Sequence, residues 1–568
     1  MCVRGREMSD TKSNNPVPNF YRASAEDFKK IPGSPIAYWV SNRILSLFDN
    51  PLIGDNFVGK EGVGTRNDNL FLRFFWEVSY IKIGREKRWI LTDKAGDYRR
   101  WYMGCFYVMD WENDGHRIKN YRDEEGILKS RPQNIQYLFK EGITWGKVGS
   151  GKTSFRWRPV GFGFNDAAPT LFGKDIFSIL PQLNSKLLAY LVAIKGETLN
   201  VTTGAITELP LLQNLVENYK LDFNKMASSI INISKTDWDS YETSWDFTTL
   251  PLVSPEYLTP TIEASYQKLR THWQEMTKEM LSLEEENNKI FIEAYGLQDE
   301  LTPDVPLSEI TLTCNPHYRY DANKPEEELE GLLRTDTIKE LISYAVGCMV
   351  GRYSLDTPGL ILANQGETVD DYLSQIPQPS FKPDDDNIIP VLDDEYFTDD
   401  IVFRFKDFLK VVFGEKTLSQ NLDYIAQALT GKSTSSPEKV IRDYFSRDFF
   451  KDHVQRYKKR PIYWMFSSGK QQGFNALVYM HRYNKTTLAK MRTDYLLELE
   501  AKLDAELTAL NEDPVKNKAR ISKIKKQVDE MKTWDELLNN KALALIEIDL
   551  DDGVVVNYAK FEGLVRAI

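Results

Sequence analysis

The sequence predicts an α+β multidomain protein, with a mixed, β-rich first part followed by largely helical domains that include a coiled-coil hairpin. Three patterns carry that expectation. Residues 97–115 and 154–164 set aromatic and β-branched side chains between glycine turns, as β structure does. Ile262, Tyr266, Leu269, Trp273, Met276, Met280, Leu283, Asn287 and Ile290 step by four and three without a break, the spacing of a heptad seam. Asn287 is its single polar position and could fix register. Leu496, Leu499, Leu503, Leu507 and Leu510 line one helical arm, and Ile521, Ile524, Val528, Met531 and Leu538 line another beyond Pro514. Antiparallel arms of this kind bury both seams.

A chain of 568 residues has room for roughly three or four domains. Cys2, Cys105, Cys314 and Cys348 form no CxxC pair, which argues against a zinc ribbon or a disulfide framework and fits a reducing compartment. No apolar run reaches the roughly 18 residues needed to span a bilayer. Residues 1–20 are polar, without a signal-peptide core, and are expected to be disordered. The predicted location is cytoplasmic. The net charge of −11 speaks against a nucleic-acid binder only as an average. Residues 21–160 carry 24 Lys/Arg against 17 Asp/Glu, while residues 161–568 carry −19. A basic first part on an acidic remainder suggests one anion-binding module on a solvated scaffold.

The first part turns on residues 57–77, FVGKEGVGTRNDNLFLRFFWE. Gly59, Gly62 and Gly64 permit close backbone approach. Thr65, Arg66, Asn67 and Asn69 offer donors suited to phosphates and base edges, and Arg73 interrupts the strand-like run that follows. The segment NRILSLF before it reads as a short helix, and residues 81–89 as a basic hairpin or loop edge. Trp111-Glu112-Asn113-Asp114-Gly115 ends in a turn signal.

Gly146-Lys147-Val148-Gly149-Ser150-Gly151-Lys152-Thr153 satisfies the Walker A pattern. A phosphate-binding loop also needs a helix starting at the Thr. The next residues, SFRWRPVGFGF, alternate and contain Pro159, Gly161 and Gly163, which forbid one. Read as a strand, they place Phe155 and Trp157 on one face and Arg156 and Arg158 on the other. With Lys147 and Lys152 on the preceding turn, that face would be a basic ribbon for the phosphates of DNA. Residues 171–195 predict a helix from about Leu180 or Asn184 onward, and ITELPLLQNL a further short element.

Taken together and in order, the glycine turn with T-x-N before FLR, WENDG, SRPQNIQYLFKEGITW, LNSKLLAYL and ITELPLL resemble a known family. They look like the target-recognition domain of the adenine-specific DNA methyltransferases called PglX, from BREX phage-defence systems. The likeness covers nearly the whole chain from about residue 19 onward, including its C-terminal segments. It implies a DNA target-recognition domain over 21–215 and a helical spacer over 216–300. It implies double-stranded DNA and other BREX components as partners. The departure is as informative. The family's catalytic domain carries an Asn-Pro-Pro-Tyr motif for the flipped adenine and a glycine-rich S-adenosylmethionine site. This sequence contains no Pro-Pro dipeptide, and Gly161-Phe162-Gly163 does not make a cofactor loop. The expected cofactor is therefore none on this chain, with S-adenosylmethionine held by a separate catalytic domain or chain.

The remaining segments are an α-rich domain over 301–484, the helical hairpin over 485–545 and a terminal β-hairpin over 546–568 turned by Asp551-Asp552-Gly553. Carboxylates in PDDDNIIPVLDDEYFTDD imitate a metal site, but their prolines make the stretch loop-like. Arg456, Lys458, Lys459 and Arg460 offer a second backbone contact to DNA, and His453 and His481 lack partners at ligand spacing. Two other classes remain open at this point: a P-loop NTP-binding protein using the 146–153 loop, and an interaction subunit that docks partners through its heptad helices without binding DNA.

Overall fold

The computed structural model describes residues 24–149, 152–196 and 200–568. The expected disorder of residues 1–20, and Ser150 and Gly151 of the Walker-like loop, lie outside the described residues. The chain divides into two compact units. The first takes the residues up to Leu72, then Gly84–Trp238 and Trp273–Ala322; the second takes Arg73–Ile83, Asp239–His272 and Asn323–Ile568.

The first unit is built on short strands. Val58–Lys60 pairs antiparallel with Thr170–Phe172, which pairs with Gly142–Thr144, which pairs in turn with Arg156–Arg158. Trp89–Asp93 pairs antiparallel with Tyr107–Asp110 and parallel with Gly163–Phe164. Val63, Phe71, Ile90, Met109, Trp111, Ile118, Phe164 and Phe172 fill the core that these strands share. The WENDG turn is real: Asn113, Asp114 and Gly115 all take positive φ, a conformation that Asn, Asp and Gly tolerate best.

Helices cover this unit. The helix expected from about Leu180 or Asn184 onward is Lys186–Ile194, and Asn184 and Ser185 separate it from a further helix, Ile176–Leu183. Asn184 spends its amide on both backbone groups of Phe155, at 3.1 and 3.0 Å, and Ser185 caps the second helix. The start of the expected 216–300 spacer, ahead of the heptad seam, forms a helix of its own, the 20-residue Lys220–Asp239. Phe223, Ala227, Ile230 and Ser234 are buried along it. The heptad helix is Ile262–Ala294, and its second half belongs to this unit. Asn287 does not set the register of a partner helix. Its Nδ2 donates to the Pro181 carbonyl at 2.9 Å, inside the unit.

The second unit is largely helical. Glu326–Met349, Ile401–Phe413, Leu418–Thr430, Pro437–Arg447 and Phe449–Arg456 pack around the antiparallel pair Tyr463–Ser467 and Asn475–Tyr479. Both histidines are structural. Buried His453 Nε2 accepts from the Ile462 and Tyr463 amides at 3.0 Å, and burial pushes its pKa well down. Arg456 and Arg460 face Glu242 and Glu77, at 4.0 and 3.7 Å. Helices Leu497–Leu510 and Lys518–Leu543 flank Pro514, tied by Arg520 to Glu506 at 2.7 Å, and Arg492, ahead of the first, pairs with Asp535 of the second at 2.6 Å. The terminal β-hairpin is not formed: Leu550–Asp552 is a 3-10 turn and Gly553–Ala559 an α-helix. Its start is fixed from outside, because the Val554 amide donates to buried Glu77 at 2.9 Å. That bond outweighs the β-propensity of three consecutive valines. Among the described residues no single helix is long and apolar enough to cross a membrane.

The aspartates of residues 383–400 are turn formers. Asp384 Oδ1 accepts from the amides of Asp386, Asn387 and Ile388, at 3.2, 2.6 and 3.2 Å. Burial, then the nearby Asp386 and Asp399 charges, push its carboxyl up to about 7, against the pull of Arg482. The folded pKa lies above the unfolded one, so this group's stabilising share is complete below about pH 4 and is lost as pH rises through about 7. The unit should therefore melt lower at pH 8 than at pH 5, and Asp384→Asn should flatten that slope in thermal melts. An unaltered slope would show that other groups set it.

Candidate nucleic-acid interface

The 57–77 stretch folds as a stitched turn. The Val63 amide donates to the Phe164 carbonyl at 3.0 Å, and Gly64 and Arg131 exchange backbone bonds at 2.9 and 2.7 Å. Gly62 is needed for room: a Cβ there would lie 2.0 Å from the Phe164 carbonyl oxygen. The strained position is Arg66, at φ 57, which lifts its side chain away from the sheet. Asn67 then caps the short helix Asp68–Phe71, accepting from the Leu70 amide at 3.2 Å.

Thr65, Arg66, Asn67, Asp68, Asn69 and Asp166 line an open depression of about 380 Å³. Their roles differ. Thr65 is buried and its hydroxyl bonds Asp68. Asn67 Nδ2 donates to the Tyr121 hydroxyl at 3.1 Å, so both ends of its amide are engaged. Thr65 and Asn67 thus shape the turn. Arg66 and Asn69 are the exposed side chains among the predicted four. The Arg66 side chain is 50% exposed and meets the protein through Asp166 at 3.3 Å. Burial raises the Asp68 carboxyl, but hydrogen bonds from Lys94 and Thr65 and the Lys94 charge outweigh it and hold the pKa below the usual value. The depression is thus lined by the carboxylates of Asp68 and Asp166, paired with Lys94 and Arg66. Carboxylates suit amino groups on base edges, and the Arg66 guanidinium suits guanine.

The other expected contacts do not line the depression. Arg73 lies in the second unit, where its Nε donates to the Asp551 carbonyl at 3.2 Å. Lys147 pairs with Glu61 at 2.6 Å and Lys152 with Glu309 at 2.9 Å. The basic ribbon is overturned. Arg156 and Arg158 are 2% and 1% exposed. Their strand turns the arginine face inward toward Asp93, which sits 3.7 Å from Arg158 Nε. Trp157 on the opposite face is covered as well, by Phe177 and by a 2.8 Å bond to Glu141. Sequence reading missed Tyr121 and Arg131, which hold the turn from the SRPQN side. The T-x-N spacing that makes Asn67 a cap was their indirect signal.

After Thr153 the described residues lead into the strand Arg156–Arg158 and not into the helix that a phosphate-binding loop uses. Gly161-Phe162-Gly163 is likewise committed. The Phe162 carbonyl accepts from Phe139 at 2.8 Å and Gly163 pairs with Thr92, so these residues do not fit a cofactor loop. Asn315-Pro316-His317-Tyr318 approaches the Asn-Pro-Pro-Tyr pattern. However, its buried Asn315 amide donates to the Leu307 and Ile310 carbonyls at 2.8 and 2.9 Å, leaving no donor for a base.

No protein-family model matches the chain. It is 37% identical, over 97% of its length, to an adenine-specific methyltransferase PglX of Lacticaseibacillus casei (strain Zhang). It is 36% identical, again over 97%, to an adenine-specific methyltransferase BrxX of Escherichia coli O9:H4 (strain HS). It spans about half of either relative, 46% of each. The resemblance drawn from the ordered motifs thus holds along almost the whole chain.

Proposed function

We propose that this relative of the PglX and BrxX adenine-specific methyltransferases is the DNA-specificity portion of an adenine-N6 DNA methyltransferase of BREX phage defence. The observation that carries this is the 65–69 turn, where Arg66 and Asn69 line an open depression while Thr65 and Asn67 hold the backbone. Arg and Asn pair bidentately with guanine and adenine edges. Methyl transfer and adenine flipping belong to a catalytic domain with Asn-Pro-Pro-Tyr and S-adenosylmethionine, a motif that these 568 residues do not contain. Duplex DNA, that catalytic domain and other BREX components are the partners this reading names.

The test is selection of duplexes from a randomised library by the full chain, followed by binding to the enriched and scrambled sequences. Arg66→Ala should weaken the enriched sequence by about 1–3 kcal/mol, roughly 5- to 150-fold, and leave scrambled duplex nearly unchanged. Equal loss on both would remove Arg66 from base reading.

A further inference from the structure

Building on that reading, we infer that a strip of cations formed by Lys60, Lys129, Arg131 and Lys140 carries one strand of the duplex alongside the reading turn. None of the four was singled out by the sequence. Their placement follows from how residues 60–66 and 129–140 lie together. Arg131 is joined to Gly64 through both backbone bonds, Gln133 donates to the Gly62 carbonyl at 3.0 Å, and Asn134 donates to the Glu61 carbonyl at 2.8 Å. Lys60 and Lys140 converge on one ring, their ammonium groups 5.8 and 4.9 Å from the centroid of Tyr137. Lys129 lies 6.0 Å from the Tyr121 ring, whose hydroxyl holds Asn67. The strip therefore begins at the reading turn and runs back along the strand.

Charge accounting points to an external anion. Glu61 is paired with Lys147, Asp68 with Lys94 and Asp166 with Arg66, and Glu141, next to Lys140, accepts from the Trp157 indole N–H at 2.8 Å. Among the described residues no carboxylate pairs with Lys60, Lys129, Arg131 or Lys140. Lys129, Arg131 and Lys140 are exposed and Lys60 half-exposed. Two ammonium groups on a single ring repel, and an anion placed between them removes that cost. Four cations spread over two adjoining segments suit a polyanion with repeating charges better than a single small anion.

Salt-dependent binding of the full chain to the selected duplex tests this. Each lost phosphate contact lowers the slope of log K against log salt by about 0.9. Lys60→Gln/Lys140→Gln and Lys129→Gln/Arg131→Gln should each lower it by about 2 and weaken binding roughly tenfold or more at physiological salt. The enriched sequence should stay preferred over scrambled duplex. Lys225→Gln, on the exposed side of the 220–239 helix, should change neither quantity, and Lys140→Arg should restore the Lys140→Gln loss. Unchanged melting temperatures establish that the variants fold. A slope unmoved by either pair, with Arg66→Ala still altering preference, overturns the strip and leaves the reading turn standing. No duplex binding even in about 50 mM salt overturns both. Inorganic polyphosphate competing as well as duplex would reduce the strip to a generic anion patch and overturn the strand assignment.

Discussion

Glu284→Gln is expected to lower the melting temperature of the first unit by on the order of 10 °C. Glu284 follows Leu283 of the heptad seam and is not itself one of the positions that read in sequence as a coiled-coil face. In the fold its carboxylate is buried 2.5 Å from Arg100 and accepts the Trp101 indole N–H at 2.7 Å. Burial pushes the carboxyl up, while the Arg100 charge and the Trp101 bond pull it back toward the ionised form. Glutamine keeps an oxygen for Trp101 but leaves the Arg100 guanidinium buried without a counter-charge. Removing one member of a buried pair costs about 3–5 kcal/mol. Neighbouring Arg99 offers no relief, because it is already paired with Asp237 at 2.7 Å. Glu279→Gln, exposed on the same helix, should stay within about 0.5 kcal/mol of the parent chain. If the two variants melt together, the Arg100–Glu284 pair is not holding this unit.

That pair shows where the sequence was readable and where it was not. A helix over 262–294 was legible because its apolar period is unbroken, and burial at Ile262, Tyr266, Leu269, Trp273, Met276 and Met280 follows that period. What the helix packs against was not legible. Heptad spacing says that a face is buried, not which segment covers it, and Arg100 is 184 positions away. The turn at 113–115 and the cap at Asn67 were readable because their residue types act locally. The terminal helix was not, because the Glu77 carboxylate that starts it lies nearly the whole chain away. The Lys220–Asp239 helix was missed because polar residues dilute its apolar face. For the reading turn, residue types and spacing were legible. They could not separate Arg66 and Asn69, which face outward, from Thr65 and Asn67, which hold the backbone.

The same limit decides the second large effect, Arg158→Ala. Alternation shows that Arg156 and Arg158 share a face, but a period of two does not say which face is inward. Here both faces are covered, so the usual outward arginine is reversed. Arg158 Nη2 donates to the Lys140 carbonyl at 2.8 Å and Nη1 to the Gly163 carbonyl at 3.3 Å. Its guanidinium lies 4.8 Å from the centre of the Phe164 ring. Asp93, in the strand Trp89–Asp93, feels the charges of Arg158 and Arg156 and accepts from the Cys105 thiol at 3.1 Å. Burial raises the Asp93 carboxyl and the Arg158 charge opposes that rise. Alanine would strand a buried carboxylate and two carbonyls, a loss of about 3–5 kcal/mol. Lysine should rescue little, since a single ammonium cannot span the Lys140 and Gly163 carbonyls and the ring face together. Pairing Arg158→Met with Asp93→Asn should cost less than the two singles added, because the second change removes the charge stranded by the first. Denaturant unfolding of the four chains measures that coupling. Arg158→Ala protein that remains folded should keep the parent's salt slope on DNA, which separates this buried arginine from Lys129, Arg131 and Lys140. A flattened slope with unchanged stability would place Arg158 on the DNA after all.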